Sequence, residues 1–234
     1  MLHASQTTIA QNIESIRARI ADAEIQYNRP IGSVQLLAVS KTRPTEDILA
    51  AITAQQLHFG ENYLQDALPK ITNIPNKNVK WHFIGPIQSN KTQSIAQYFD
   101  WVHSVDRLKV ARRLSEQRQT KQTPLNICIQ VNSSGESSKS GVNAEGALNL
   151  AKEIQQLPNI KLRGLMSIPA SNTDFEQQRQ SFRLLRELKE ELNLTGMNLD
   201  TLSMGMSNDM EAAIAEGSSI IRIGTAIFGT RNAR

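Results

Sequence analysis

Two positively charged residues of this sequence occupy segments that otherwise predict buried β-strands. Lys41 ends the apolar run "LLAVSK" (36–41), and Arg222 lies inside "SIIRIG" (219–224). Burying an isolated ammonium group is costly, so a lysine at the end of a strand either extends into solvent or has a chemical use. Partial burial lowers the pKa of a lysine from about 10.4, and the neutral amine forms a Schiff base with aldehydes. Position alone leaves both interpretations of Lys41 open.

Two segments near the C-terminus combine glycine with a hydroxyl side chain. They place Gly205 close to Ser207, and Gly224 next to Thr225. Glycine lets the backbone approach an anion closely, and a helix predicted just after Ser207 would direct its N–H groups at such a ligand. The capping-box spacing over residues 208–211 offers a purely structural role for this helix start instead.

The elements that must position these residues alternate along the whole chain. Apolar segments of strand length cover residues 34–40, 57–62, 79–85, 101–106, 125–132, 160–169, 201–207 and 219–229. Helical patterns cover residues 5–27, 45–56, 63–73, 88–98, 107–120, 143–156, 173–192 and 208–216, with Thr45 as the expected N-cap of the second and Gly217 ending the last.

This alternation predicts a parallel sheet. Eight strands in 234 residues predict an α/β fold, a single (β/α)8 TIM-type barrel over residues 1–234 with an extra N-terminal helix. An open doubly wound sheet is the alternative, but its first strand usually leads into a glycine-rich turn, which "SKTRPT" (40–45) does not resemble. No second domain is expected.

Composition limits the classes of function. The net charge of +4 is scattered and only 5% of residues are aromatic, which disfavours a nucleic-acid-binding surface. Cys128 is the only cysteine, inside the apolar run "NICIQV", so we expect an inert core thiol and a reducing compartment. No signal sequence and no long apolar span are recognisable. We therefore expect a soluble cytoplasmic protein without membrane or metal sites.

The predicted barrel places the reactive residues at one end. Barrel sites lie at the carboxyl ends of the strands, and phosphate is often bound after strands 7 and 8. Both glycine–hydroxyl elements fall there, which favours a phosphate site, while Lys41 follows strand 1. A ligand with an aldehyde and a phosphate meets both demands: pyridoxal 5′-phosphate (PLP), or the sugar phosphate of a Schiff-base aldolase. Arg222 favours PLP, since PLP sites place an acid or an arginine against the pyridine nitrogen.

A family resemblance rests on motifs spread over nearly the whole chain. They are "AVSKT" (38–42), "HFGENYLQ" (58–65), "WHFIGPIQSNK" (81–91), "VNSSGESSKSG" (131–141), "LRGLMSIP" (162–169), "LSMGMSNDMEAAIAEG" (202–217) and "IRIGTAIFG" (221–229). Together they resemble the PLP homeostasis protein family, small PLP-binding barrels similar to the N-terminal domain of bacterial alanine racemase.

The resemblance implies a fold-type III PLP barrel and a set of cofactor contacts. By this likeness, Lys41 carries PLP as a Schiff base, Asn62 lies beside the ring, Arg222 faces the pyridine nitrogen, and Ser207, Gly224 and Thr225 bind the phosphate. The family is associated with intracellular PLP supply and with no robust turnover, so the resemblance implies apo PLP-dependent enzymes as candidate recipients. We expect a monomer.

Alanine racemase itself differs in one respect that bears on catalysis. It adds a C-terminal β-domain whose tyrosine opposes the lysine as a second acid/base, whereas this sequence ends shortly after "AIFGT" (226–230). None of Tyr27, Tyr63 and Tyr98 stands out as a replacement. We expect no catalytic residue. The alternatives are a weak PLP-dependent amino-acid racemase, a cofactor-free Schiff-base aldolase, or an interaction protein with a vestigial site.

The polar loop over residues 132–143 carries one further hypothesis. Lys139 is its only lysine and could take PLP transiently during transfer, although a solvated loop lysine is the simpler interpretation.

Overall fold

A computed structural model describes residues 8–133, 136 and 139–230, and within them the chain forms a closed parallel barrel in the order β1 to β8. The strands are β1 (Gln35–Val39), β2 (His58–Glu61), β3 (Lys80–Phe83), β4 (Trp101–Val105), β5 (Leu125–Gln130), β6 (Ile160–Met166), β7 (Thr201–Ser203) and β8 (Ile220–Ile223). The expected (β/α)8 TIM-type fold is confirmed.

Helices cover the outside of this barrel. They are α1 (Ile9–Gln26), α2 (Thr45–Thr53), α3 (Leu64–Asn73), α4 (Thr92–Tyr98), α5 (Leu108–Gln117), α6 (Ala144–Ile154), α7 (Phe175–Leu194), α8 (Met210–Ala215) and α9 (Thr225–Phe228), with a 3-10 turn over Ser89–Lys91 before α4. The extra N-terminal helix is α1, which packs against α2, α8 and α9. α1 therefore lies between α2 and the two short helices α8 and α9.

Several predicted boundaries change in the structure. The segment 219–229 is a strand followed by a helix, because Gly224 ends β8 and α9 starts at Thr225. Pro44, not Thr45, is the N-cap of α2. The alternative of a capping box over residues 208–211 is not found, since α8 starts after its N-cap Asp209, and the Asp209 carboxylate accepts from the Met206 N–H. Residues 5–7 of the first predicted helix lie outside the described residues.

Other local predictions are confirmed. Gly217 follows the C-cap of α8 with a φ of 89°, the left-handed conformation that glycine adopts without strain. The thiol of Cys128 is fully buried, and burial raises its pKa to about 12, so it stays protonated and unreactive.

The barrel contains two kinds of packing. Between strands and helices lies an apolar layer that includes Phe59, Phe99 and Phe182. Inside the barrel the packing is partly polar, since His82, His103 and other polar side chains are fully buried there. This interior lies directly beneath the barrel mouth, the end where β1 leads into Lys41.

Candidate functional site at the barrel mouth

Lys41 follows β1 at the barrel mouth. It is half-buried, and the preceding Ser40 donates its N–H to the Gly60 carbonyl at 3.0 Å, which extends the pairing of β1 with β2 by one residue. A tight turn follows, closed by the Arg43 N–H on the Ser40 carbonyl at 3.0 Å. Thr42 in this turn has a φ of 63°, which is strained for a β-branched residue. Strain of this kind concentrates at functional sites.

The pairing of β1 with β8 brings the lysine next to the C-terminal segment. Ala38 of β1 is paired with Ile223 of β8. Lys41 follows Ala38 by three residues and Thr225 follows Ile223 by two, so both residues lie just beyond the same end of the paired strands. Arg43 strengthens this junction, since its guanidinium donates to the Gly229 carbonyl. The expected lysine and the expected phosphate position after β8 are therefore neighbours.

Arg222 lies in β8 with its guanidinium buried at 4% exposure. Its Nη1 donates to the Ser203 carbonyl at 2.5 Å and to Ser203 Oγ at 2.9 Å, while Nη2 donates to the Ser167 carbonyl at 2.8 Å. Burial lowers the pKa of Arg222 to about 10, and the charge of Asp209 partly offsets this effect. Arg222 is therefore a cation at neutral pH, and no carboxylate of the described residues is within ion-pairing distance.

The proposed phosphate positions occupy the ends of β7 and β8. Ser207 is half-buried and Thr225 exposed, and neither hydroxyl has a hydrogen-bond partner among the described residues. Thr225 opens α9, so its N–H lacks an acceptor within that helix. A Cβ at Gly224 would lie 3.3 Å from the Val39 carbonyl oxygen. The missing side chain thus lets the end of β8 approach the end of β1.

Gly205 has a packing role that the sequence did not reveal. Its φ is 96°, and a Cβ there would lie 2.5 Å from Ala213 Cβ and 2.7 Å from Ile221 Cδ1. Its carbonyl accepts the Arg222 N–H at 3.0 Å. Gly205 therefore lets α8 pack closely against β8, whatever binds at the mouth.

Asn62 follows β2, next to the end of β1. It is half-buried, and its Oδ1 atom is buried without a partner among the described residues. Its backbone is held by a close approach, because a Cβ at Gly85 would lie 2.0 Å from the Asn62 carbonyl oxygen. Asn62 is thus fixed at the mouth with an unsatisfied acceptor.

Arg222 lies within β8, and the other expected residues directly follow or lie shortly after four consecutive strands, β7, β8, β1 and β2. The sequence pattern indicated no role for Ser203 and Ser167. In the structure, the Ser203 carbonyl and hydroxyl oxygens and the Ser167 carbonyl oxygen accept hydrogen bonds from Arg222. The Ser167 hydroxyl is itself buried without a partner in the described part of the chain. The available signal was a serine within each of the two predicted strands. That signal does not reveal that these serines contact Arg222.

The closed barrel and the sequence together place the chain in the alanine racemase N-terminal domain class. The sequence matches the family described as "Alanine racemase, N-terminal domain" over residues 5–232. The barrel also superposes on alanine racemase of Clostridium difficile 630 with a TM-score of 0.76 at 11% identity, covering 95% of this chain and 58% of that one. This likeness shows the fold alone.

Closer relatives narrow the class. A Vibrio alginolyticus protein named pyridoxal phosphate homeostasis protein is 52% identical over 230 residues, covering 97% of this chain and 99% of its own. PipY of Synechococcus elongatus, solved with PLP bound, is 34% identical with a TM-score of 0.82, covering 95% of this chain and all of that one. The chain belongs to the pyridoxal phosphate homeostasis protein family.

No helix in the described ranges is long and apolar enough to cross a membrane.

Proposed function

We propose that this chain holds PLP as a Schiff base on Lys41 and takes part in intracellular PLP homeostasis without strong catalytic turnover. The observation that carries the proposal is the pairing of β1 with β8, since Lys41 follows β1 and Gly224 and Thr225 follow β8, the strand that carries the buried Arg222. The names of the relatives and the PLP-bound PipY structure support the same ligand.

The residues at the mouth fit PLP. Asn62 Oδ1 and Ser167 Oγ are buried polar atoms without partners in the described chain, and such atoms are rare unless a ligand or water satisfies them. The Nε–H of Arg222 likewise has no acceptor among the described residues. Asn62 would therefore lie beside the ring and Arg222 against its nitrogen, with Ser207 and Thr225 donating to the phosphate.

The chemistry at Lys41 is a condensation. The neutral ε-amine attacks the aldehyde carbon, one water leaves, and the nitrogen remains doubly bonded to that carbon. Bound PLP supplies an aldehyde and a pyridine ring that withdraws electrons strongly when its nitrogen is protonated. Arg222 only donates hydrogen bonds and stays charged, so it leaves that nitrogen unprotonated. The site therefore favours holding PLP over breaking bonds to its substrates.

Reversal of the same condensation would return PLP for delivery to apo PLP-dependent enzymes. This role needs no second acid/base. Two tyrosines are used elsewhere or lie at helix ends: the Tyr27 hydroxyl bonds Glu211 between α1 and α8, and Tyr98 ends α4. Tyr63 is exposed beside Asn62.

Reductive trapping tests the covalent site. The protein is mixed with PLP, reduced with borohydride and digested, and the modified peptide is identified by mass spectrometry. We expect one adduct on Lys41, and loss of the Schiff-base absorbance in Lys41→Ala. Lys91→Ala is the matched control, since Lys91 is a second half-buried lysine at the mouth. An adduct on another lysine in the wild type would overturn the assignment.

Transfer tests the biological role. Holoprotein is mixed with an apo-aminotransferase and a phosphatase that destroys free PLP, and recovered aminotransferase activity is measured. We expect recovery to persist with the phosphatase present, because PLP passes between proteins. Recovery that is abolished by the phosphatase would argue against delivery. Racemisation of L-alanine by the holoprotein would favour the alternative of a weak racemase. Cleavage of a sugar phosphate in the absence of PLP would favour the alternative of an aldolase.

A further inference from the structure

A continuous series of hydrogen-bonded side chains crosses the barrel interior behind Arg222. Ser203 Oγ lies 2.9 Å from Arg222 Nη1 and 2.7 Å from His103 Nδ1. His103 Nε2 lies 2.9 Å from His82 Nδ1, and His82 Nε2 lies 2.9 Å from His58 Nδ1. We call these five residues the interior relay.

The interior relay is enclosed except at one end. Its members lie on β8, β7, β4, β3 and β2, and β7 is not a neighbour of β4, so the bond from Ser203 to His103 must cross the barrel. Ser203, His103 and His82 are fully buried. His58 is half-buried and lines a cleft of about 400 Å³ at the amino end of the barrel.

The direction of these hydrogen bonds follows from the donors available. Arginine has no acceptor, so Ser203 Oγ must accept from Arg222. The Ser203 hydroxyl proton then has one acceptor among the described residues, His103 Nδ1. If His103 carried its proton on Nδ1, the serine proton would be buried without a partner, which costs about 1–3 kcal/mol. His103 Nδ1 is therefore the acceptor.

The same argument fixes the proton positions on the next two rings of the interior relay. A neutral imidazole has one donor and one acceptor, so His103 donates through Nε2 to His82 Nδ1. His82 in turn donates through Nε2 to His58 Nδ1. Each ring carries its proton on Nε2, and every donor points away from Arg222.

The imidazoles are neutral. Burial lowers the pKa of His103 to about 3, with the charge of Arg222 acting in the same direction. Burial also lowers the pKa of His82 well below its usual value, with His103 and His58 adding to the effect, and burial lowers that of His58. The rings therefore act as aligned dipoles whose acceptor ends face Arg222.

We propose that Ser203, His103 and His82 are positioning residues for Arg222, forming a one-directional relay of neutral imidazoles that stabilises and orients the buried guanidinium in place of a carboxylate. A carboxylate bonded directly to Arg222 would place a proton-binding anion against it, whereas the relay stabilises the cation with neutral groups. The Asp209 carboxylate acts on Arg222 only from beyond ion-pairing distance. The proposal rests on the proposed function only in that Arg222 faces the PLP pyridine nitrogen.

The first test is the tautomeric state of the histidines in protein without PLP. Nitrogen-15 NMR of the imidazoles distinguishes the two ring nitrogens by chemical shift. We expect protonated Nε2 and unprotonated Nδ1 in His58, His82 and His103 at neutral pH. A protonated Nδ1 in His103 or His82, or a positively charged ring, overturns the relay. Because PLP is absent, this result is independent of the proposed function.

A pair of variants at His103 separates positioning from packing. His103→Asn retains an acceptor close to the Nδ1 position, whereas His103→Leu removes it and fills similar volume. We expect rotation of the Arg222 guanidinium, measured by arginine side-chain NMR without PLP, to be about tenfold faster in His103→Leu than in wild type. His103→Asn should restore most of the slow rotation. Equal rotation rates in the two variants would refute positioning.

Affinity for PLP then links the relay to the mouth. We expect His103→Leu to weaken PLP binding about tenfold and His103→Asn to leave it within a few-fold of wild type. Equal losses in both variants would show that only packing matters at His103. Altered guanidinium rotation with no PLP binding to wild type would support the relay and refute the proposed function.

Discussion

The ammonium of Lys70 lies 2.7 Å from the carboxylate of Glu61, and both side chains are buried beneath the end of β1. Lys70 also donates to the Ser40 carbonyl at 2.8 Å, and the Ser40 hydroxyl donates to Glu61 at 2.6 Å. Ser40 directly precedes Lys41. The buried pair thus fixes the backbone from which the candidate Schiff-base lysine extends.

Removing one partner of this pair should be costly. Lys70→Met leaves the Glu61 carboxyl group buried without its cation, and such losses are about 3–5 kcal/mol in the free energy of unfolding. Burial already raises the pKa of Glu61, despite the opposing charge of Lys70. Denaturant unfolding of Lys70→Met measures the cost, and we expect the double variant Lys70→Met/Glu61→Gln to recover part of it. A double variant less stable than Lys70→Met would contradict this account.

Acid should destabilise the fold through the interior histidines. The pKa of His103 is about 3 in the folded protein against 6.5 as its ordinary value, so the unfolded chain binds more protons between these values. Stability therefore rises with pH across this window and is lost as pH falls below about 6.5, by up to about 1.4 kcal/mol per pH unit for each such histidine. Urea unfolding at several pH values from neutral downward measures the slope.

The control for this slope is His103→Asn, which removes one titrating group. Groups with raised pKa values, Glu61 and Asp209, act in the opposite direction, since their contribution is lost as pH rises through the folded pKa. They are present in both proteins, so the difference between variant and wild type reports the titration of His103 together with its effect on the neighbouring His82. Parallel pH profiles in the two proteins would contradict the buried, neutral state of His103.

Gly85 should be intolerant of any side chain. A Cβ there would lie 2.0 Å from the Asn62 carbonyl oxygen, and this neighbour is backbone that cannot rotate away. We expect Gly85→Ala to lower the free energy of unfolding by about 1–3 kcal/mol and to weaken PLP binding by displacing Asn62. Gly224→Ala is the matched control, since its Cβ would meet the Val39 carbonyl at 3.3 Å. Equal stability of both variants would contradict the backbone contact.

The sequence predicted the barrel because strand-length apolar runs and helical patterns alternate along the chain. It missed α9, since four residues are too few to display helical periodicity. It located Lys41 and Arg222 but not the groups behind them. The contact of His103 with Ser203 spans 100 residues of sequence, and only barrel closure brings the two strands into range. The ion pair of Lys70 with Glu61 joins α3 to β2, and helical or strand spacing alone does not reveal such a contact.

The hydroxyls of Ser207 and Thr225 should recognise the phosphate rather than the ring. Hydrogen bonds to a charged group contribute about 1.5–3 kcal/mol each, so we expect Ser207→Ala/Thr225→Val to weaken PLP binding at least about tenfold. Pyridoxal, which lacks the phosphate, should bind the variant and the wild type equally, because Lys41 and Arg222 are unchanged. Titration of both ligands followed by Schiff-base absorbance makes the comparison. Equal losses for PLP and pyridoxal would place these hydroxyls against the ring, and no loss for PLP would remove them from the site.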